Sequence, residues 1–304
     1  MEKKKIIVVG SSNTDMVVQS DKLPAPGETV MGNEFIMNPG GKGANQAVAA
    51  AKLAGEVIFI SKVGEDVFGE ELIKGFENYG LNTKYIFKDE QNASGIALIL
   101  VDSKGENSIS IAPGANKALT ADQIDKAISE FEDAEYLLMQ LEIPLDTVNY
   151  TANLAANNNV KIILNPAPAQ QLPDSLLKKL YIITPNETEA QLLTGIEVKD
   201  EPSAHNAAKA LREKGVDIVI ITLGAKGAYF LSETHHKLVS PPKVSVVDTT
   251  AAGDTFNGAL TVALAEGRNL IDAIHFANKA AALSVTKMGA QNAIPTREEL
   301  LKAF

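Results

Sequence analysis

The order in which short apolar runs and amphipathic runs follow one another constrains this chain more than any single residue. Ile6–Val9, Val57–Ile60, Tyr136–Leu141, Lys161–Leu164, Tyr181–Thr184 and Ile218–Thr222 are short, nearly continuously apolar, and bounded by Gly, Pro, Asn or charge. Strands of a parallel sheet covered on both faces read this way, because neither face meets water. Helical patterns lie between them at Ala44–Leu53, Phe68–Tyr79, Ala121–Phe131, Leu145–Asn157 and Ser203–Lys214. The last third is mostly helical, over Asp254–Ala265, Leu270–Thr286 and Thr296–Ala303. Strand–helix alternation builds right-handed βαβ crossovers. The expected fold class is therefore α/β: a three-layer α/β/α sandwich around a mostly parallel, doubly wound sheet.

Two stretches break the alternation. Residues 12–38 and 84–113 carry strand-like runs with no helix between them: Asp15–Val18, Thr29–Met37, Lys84–Phe87, Gly95–Val101 and Ser108–Ile111. They read as antiparallel hairpins, with Asp102-Ser103-Lys104-Gly105 as a turn. Together they form a small β-sheet lid on a core of residues 1–11, 39–83 and 114–304. The run Ile96–Val101 is apolar on both alternating faces, so both must be covered. One face fits over a ligand and the other against a second subunit, which makes a homodimer; the plainer alternative is a lid packed wholly within its own chain. A length of 304 residues fits one large α/β domain with such a lid.

Composition removes whole classes of chemistry. There is no cysteine, hence no disulfide, thiolate nucleophile, Cys-zinc site or Fe–S cluster. A net charge of −10 argues against a duplex nucleic-acid partner, since neutralising phosphates needs a basic surplus. The basic start Met1-Glu2-Lys3-Lys4-Lys5 leads into an apolar run too short for a secretory segment, and nothing approaches the roughly 18 apolar residues of a membrane span. No membrane partner and a cytoplasmic location are expected.

The motifs that would signal common sites are missing. Gly40-Gly41-Lys42-Gly43 lacks Walker spacing, Gly10-Ser11-Ser12-Asn13 is not a dinucleotide fingerprint, and there is no G-x-S-x-G elbow. His205, His235, His236 and His275 have no metal-ligand spacing. The segment Asp248–Gly258 says more. A turn of small residues runs into a helix whose first N–H groups, at Ala252, Gly253 and Asp254, would point at an anion. Asp254 at that end can accept a proton from a hydroxyl. Donors for a phosphoryl group beside an acceptor for the nucleophile's proton are the least that phosphoryl transfer requires. Read alone, Asp254 fits a plain helix N-cap better.

A second segment, Asn38–Ala47, is a glycine turn entering an alanine-rich helix, and it exposes Lys42 and Asn45 in the first turn. Tight packing explains its glycines and alanines, but not the polar Asn45 and Gln46. Asn13 and Asp15 follow the first strand at its C-terminal end, where open α/β sheets bind ligands, and alternation puts both on one face. Glu142, Asn165 and the Thr184–Glu189 segment end further strands. Asn186 and Glu189 suit either Mg²⁺-bound water and phosphate or a helix cap. Thr222-Leu223-Gly224-Ala225-Lys226-Gly227 suits a phosphate or adenine edge, or a plain hairpin turn.

From Gly10–Asp15 to Lys287–Gln291 the sequence resembles the ribokinase-type, or pfkB, carbohydrate kinase family. The signatures Gly40–Gln46 and Asp248–Gly258 stand in the expected order, and Met139–Glu142 with Asn165–Ala169 resemble its ribose-phosphorylating branch. That resemblance implies ATP-dependent, in-line phosphorylation of D-ribose at O5, giving ribose 5-phosphate and ADP as the first step of ribose catabolism. Asp254 is then the general base, with Ala251, Ala252 and Gly253 as the anion hole. Asn13, Asp15, Gly41, Lys42, Asn45 and Glu142 hold ribose. Asn186, Thr222, Gly224, Gly227 and Asn278 line the ATP site, with Mg²⁺ near Glu189. An activating K⁺ site falls to Asp248, Thr250, Ser284, Lys287, Gly289 and Ala293, mostly through backbone carbonyls. Departures are a Thr at 250 where the family often has a branched aliphatic, Asn278 for His and Ala293 for Ser. Rival readings are a kinase for a ketohexose, a deoxy-sugar acid or adenosine, and a catalytically silent sugar or nucleotide sensor. Few aromatics near the sugar residues speak against a stacked nucleobase, and an intact Asp254 speaks against the sensor.

Overall fold

The computed structural model describes residues 4–304; Met1, Glu2 and Lys3 of the basic N-terminal stretch lie outside the described residues. From the N-terminus the chain runs through β1 (Lys5–Val9), β2 (Asn13–Ser20), β3 (Gly32–Gly40), α1 (Lys42–Lys52), β4 (Glu56–Gly64), α2 (Val67–Asn78), β5 (Ile86–Asp89), β6 (Gly95–Val101) and β7 (Asn107–Ala112). It continues through α3 (Ala121–Asp125), β8 (Ala134–Met139), α4 (Leu145–Asn157), β9 (Lys161–Leu164), α5 (Asp174–Leu177), β10 (Leu180–Ile183) and α6 (Glu187–Thr194). The remainder is α7 (Glu201–Glu213), β11 (Ile218–Thr222), β12 (Ala228–Leu231), β13 (His236–Val239), α8 (Ala252–Ala265), α9 (Leu270–Ser284) and α10 (Arg297–Ala303).

Nine strands form one sheet in the order β13-β12-β11-β10-β9-β8-β1-β4-β5, parallel from β5 to β11 and antiparallel at β12 and β13. Alternate residues of β1 serve different cores. Ile6 and Val8 pack with α1, α8 and α9, whereas Ile7 and Val9 pack with α4 and α7. A strand buried on both faces must be apolar throughout, and that is why these runs carry no polar alternation. The expected three-layer α/β/α sandwich is the observed one.

The second sheet has four strands, ordered β3-β2-β6-β7. Two expectations about it need correction. Its central pair, β2 with β6, is parallel, not antiparallel. The run expected over Lys84–Phe87 forms β5 at Ile86–Asp89 and joins the large sheet, pairing with Ser61–Gly64 of β4. A buried ion pair between Lys62 and Asp89, 2.6 Å apart, fixes that choice. Four residues of strand pattern do not say which sheet they join. The expected helix Ala121–Phe131 is also shorter: α3 stops at Asp125, and a 3₁₀ turn over Ile128–Phe131 keeps Phe131 buried.

Candidate active site

The helices α1 and α8 bring their N-termini together beside the C-terminal ends of the parallel strands. A Cβ on Gly258 would lie 2.7 Å from the Gln46 carbonyl oxygen and 3.0 Å from the Ala50 nitrogen, so the glycine lets the two backbones touch. One turn earlier on α8, Asp254 faces the first turn of α1. Asn45 Nδ2 donates to its Oδ2 at 3.0 Å and Gln46 Nε2 to its Oδ1 at 2.9 Å. Asp254 is buried, 7% exposed, which answers the N-cap alternative: the residue at the cap is Ala251, and no side chain caps this helix.

Ala251 itself lies in the left-handed region at φ 58°, a conformation a non-glycine residue adopts seldom and most often at functional sites. A left-handed residue followed by helical ones turns successive N–H groups to one side, as in an anion nest. One expectation is corrected here. The Ala252 N–H is not free but donates to the Thr249 carbonyl at 3.2 Å. The Gly253 and Asp254 N–H groups have no protein acceptor among the described residues. A Cβ on Gly253 would touch nothing, and its φ is not left-handed. Neither packing nor conformation asks for glycine there; room for something outside the chain does.

Across from α8, β2 presents Asn13 and Asp15 on one face, opposite Gly40 and Asn38 of β3. A Cβ on Gly40 would strike the Asp15 carboxylate. Gly41, at φ 88°, makes the turn into α1 that leaves Lys42 at the helix start. The Lys42 N–H donates to Glu142 Oε2 at 3.0 Å, and the Ser11 hydroxyl donates to the same oxygen. Burial and the nearby Glu142 and Asp254 push the Asp15 carboxyl up to about 7, against a smaller opposing pull from Lys42. Burial would lower the Lys42 ammonium, but Asp254, Glu142, Glu189 and Asp15 more than offset it and hold it above its ordinary value. Asp15, Lys42, Glu142, Glu189 and Asp254 are thus one electrostatic cluster.

The residues expected around a nucleotide line a neighbouring rim. Asn186 bridges to Thr222, whose N–H donates to the Pro185 carbonyl at 2.9 Å. The turn Gly224–Lys226 leads through Gly227 into β12, the hairpin that had been the plainer reading. A Cβ on Gly227 would strike the Val239 carbonyl oxygen, and that same oxygen accepts Asn278 Nδ2 at 2.8 Å. Asn278 is therefore beside Gly227 with its amide already tied to backbone. Asn186 and Glu189 form a reciprocal cap of α6, with both Glu189 oxygens taken by Asn186. Burial raises the Glu189 carboxyl.

Among the described residues no group of three His, Asp or Glu is placed to grip a metal ion. The donor set fits a divalent cation that arrives with phosphate and water ligands, not one caged by protein. The six residues expected around K⁺ lie on two segments knitted together. Asp248 accepts the Thr250 N–H at 2.9 Å and hydroxyl at 2.7 Å, and the Gly289 N–H at 2.9 Å. Val247 and Asp248 donate to the Val285 carbonyl, next to Ser284. Ala293 is buried nearby in sequence, and Lys287 pairs outward with Glu299 at 2.7 Å.

Asn116, Gln140 and Gln291 were not expected in the site, whereas Gln46 and Asn165 stood out by polarity and by position at a strand end. Asn116, 1% exposed, donates to Asn13 Oδ1 at 2.7 Å and so turns the Asn13 amide nitrogen away from itself. Gln46, Gln140, Asn165 and Gln291 surround Asp254 and Asn45. The available signal was polarity out of place: Gln46 on a packing face and Gln140 inside an apolar run.

The sequence profile described as pfkB family carbohydrate kinase matches residues 3–297. A ribokinase of Haemophilus influenzae is 46% identical over 300 residues, spanning 99% of this chain and 98% of its own. The crystal structure of a Thermotoga maritima ribokinase superposes with a TM-score of 0.90 at 40% identity, covering 98% of both chains. An Arabidopsis thaliana ribokinase structure, complexed with ribose and ATP, superposes with a TM-score of 0.93 at 34% identity, covering 99% of this chain and 98% of its own.

Proposed function

The chain belongs to the pfkB family of carbohydrate kinases, and from that premise we propose that it transfers the γ-phosphoryl group of ATP to O5 of D-ribose, giving D-ribose 5-phosphate and ADP. The observation that carries this reading is a buried carboxylate, Asp254, held from behind by two amides and set next to the unpartnered N–H groups of Gly253 and its own backbone. Relatives named ribokinase along the whole chain, and the ribose and ATP in the Arabidopsis thaliana structure, support the choice of substrates.

Asp254 takes the O5 proton as O5 attacks the γ-phosphorus, and the bond to the ADP oxygen breaks in line. Negative charge gathering on the transferring group meets the free N–H groups of Gly253 and Asp254 at the start of α8, which the left-handed turn at Ala251 aims to one side. Asn13, Asp15, Gly41, Lys42, Asn45 and Glu142 hold the sugar, with the carboxylates accepting from its hydroxyls. Asn186, Thr222, Gly224, Gly227 and Asn278 hold the nucleotide. Mg²⁺ bound with ATP would neutralise phosphate charge, with Glu189 as the carboxylate near it. Asp248, Thr250, Ser284, Lys287, Gly289 and Ala293 form the K⁺ site, which braces the loop before the anion hole. The small sheet acts as a lid that excludes water from the transfer and as the contact of a homodimer. The enzyme works in the cytoplasm.

The test is a coupled ADP-release assay over D-ribose, a ketohexose, a deoxy-sugar and adenosine, in potassium and in sodium buffers. D-Ribose should give the highest kcat/KM, with turnover faster in potassium. Asp254→Asn should lower kcat by the roughly 10²–10⁴-fold typical of a positioned base. Ribose-dependent ADP release near the wild-type rate in Asp254→Asn overturns the mechanism, a better substrate overturns the substrate, and equal rates in both buffers overturn the K⁺ site.

A further inference from the structure

Each carboxylate oxygen of Asp254 is met by a carboxamide, and each carboxamide is backed by another. On one side Gln46 Nε2 donates to Oδ1 at 2.9 Å, and Gln140 Nε2 donates to Gln46 Oε1 at 2.7 Å. On the other, Asn45 Nδ2 donates to Oδ2 at 3.0 Å, and Gln291 Nε2 donates to Asn45 Oδ1 at 3.1 Å. The direction of these bonds is not arbitrary. The Gln46 amino group also donates to Asn165 Oδ1 at 3.1 Å, so a reversed amide would turn an oxygen toward two acceptors.

Both relays end in an unsatisfied atom. Gln140 Oε1 and Gln291 Oε1 are buried with no hydrogen-bond partner among the described residues, and both residues are 1% exposed. A buried acceptor left unpaired is destabilising, so filling space does not account for a glutamine at either position. Gly10 is also required, because a Cβ there would strike Gln140 Oε1. Packing does not explain two glutamines kept at such a disadvantage. What their donor ends do explains them.

We propose that Gln46 and Gln140 on one side, and Gln291 on the other, are positioning residues that fix the plane of the Asp254 carboxylate before the sugar arrives. The proposal rests on Asp254 as the base. One lone pair on each oxygen is filled from within the protein, and one on each is left for a hydroxyl. Gln140 and Gln291 act only through Gln46 and Asn45, so neither needs to touch substrate.

Gln140→Met and Gln291→Met keep the side-chain volume and remove the donor. Each should lower kcat about 10- to 100-fold, the effect of a small misplacement of a reacting group, with KM for ribose and ATP within about threefold. The unfolding temperature should hold or fall slightly, since the orphaned glutamine oxygen is exchanged for an orphaned Gln46 Oε1 or Asn45 Oδ1. In an Asp254→Asn background, Gln140→Met should change the residual rate less than about twofold, because no carboxylate remains to be oriented. Unchanged kcat in both variants, or full additivity with Asp254→Asn, overturns the relay while leaving Asp254 as the base. Near-normal turnover in Asp254→Asn alone instead overturns the base reading. Should Gln140→Met not fold, Gln291→Met decides by the same split of kcat from KM.

Discussion

A carboxyl group placed beside two others in a buried cleft is held there against its own charge, and at Asp15 the cost has a sign that pH can read. Its pKa of about 7 lies well above the ordinary aspartate value, chiefly through burial and then through Glu142 and Asp254. The folded protein therefore binds this proton more tightly than the unfolded chain. The stability that Asp15 contributes is fully present below pH ~4 and is lost as pH rises through about 7, on the order of 4 kcal/mol when complete. Above pH 7 the ligand-free protein carries an ionised group that sugar hydroxyls would satisfy. Asp15→Asn should raise the unfolding temperature of the ligand-free protein at pH 8, and the gain should shrink toward pH 5. The same variant should weaken ribose binding by at least about tenfold. Thermal unfolding across that pH range checks the first half, and an unchanged or lower midpoint at pH 8 would show that Asp15 is not ionising against its surroundings.

Two helices set the distance between the base and the groups that hold it. The starts of α1 and α8 were readable from small residues and glycines, which local sequence displays. Their meeting at Gly258 was not, because a glycine in a helix pattern does not name its neighbour. Replacing it makes the point measurable. In Gly258→Ala the new methyl would lie 2.6 Å from the Ala49 Cβ and 2.7 Å from the Gln46 oxygen, so one helix must move. We expect a loss of about 1–3 kcal/mol in urea unfolding, with kcat down about tenfold as Asp254 shifts from Asn45 and Gln46. Gly75→Ala on α2, where a Cβ meets nothing, should be neutral or stabilising and serves as the control. Wild-type stability in Gly258→Ala would contradict the close contact. The same limit explains what else was hidden. Gln46, Gln140 and Gln291 reach their partners across sequence separations of 208, 94 and 246 residues. Patterns of period two or 3.6 carry no information at that range. They showed that residues 86–89 favour a strand, and the buried Lys62–Asp89 pair decided the sheet.

At the scale of the whole molecule, the small sheet leaves an apolar face uncovered. Pairing register puts Met37, Met16 and Leu98 in one row and Phe35, Val18 and Leu100 in the next, on the face opposite Asp15. Phe35, Met37 and Leu98 are 58%, 54% and 50% exposed. A contiguous patch of this kind marks an interaction site. In the proposed homodimer each copy carries a net charge of −10, so long-range charge opposes the pairing. Contact between the apolar faces would hold such a dimer, and salt, which screens the repulsion, should preserve or strengthen it. Light scattering on the wild-type chain should therefore give twice the single-chain mass at both 0.05 M and about 0.5 M salt. Leu98→Arg, which puts a charge at the end of the Met37–Met16–Leu98 row, should give the single-chain mass with unchanged far-ultraviolet circular dichroism. Released lids would close less firmly, so ADP release without sugar should rise relative to ribose turnover. A single-chain mass for the wild type, or a dimer that survives Leu98→Arg, would assign this face to something other than a second copy.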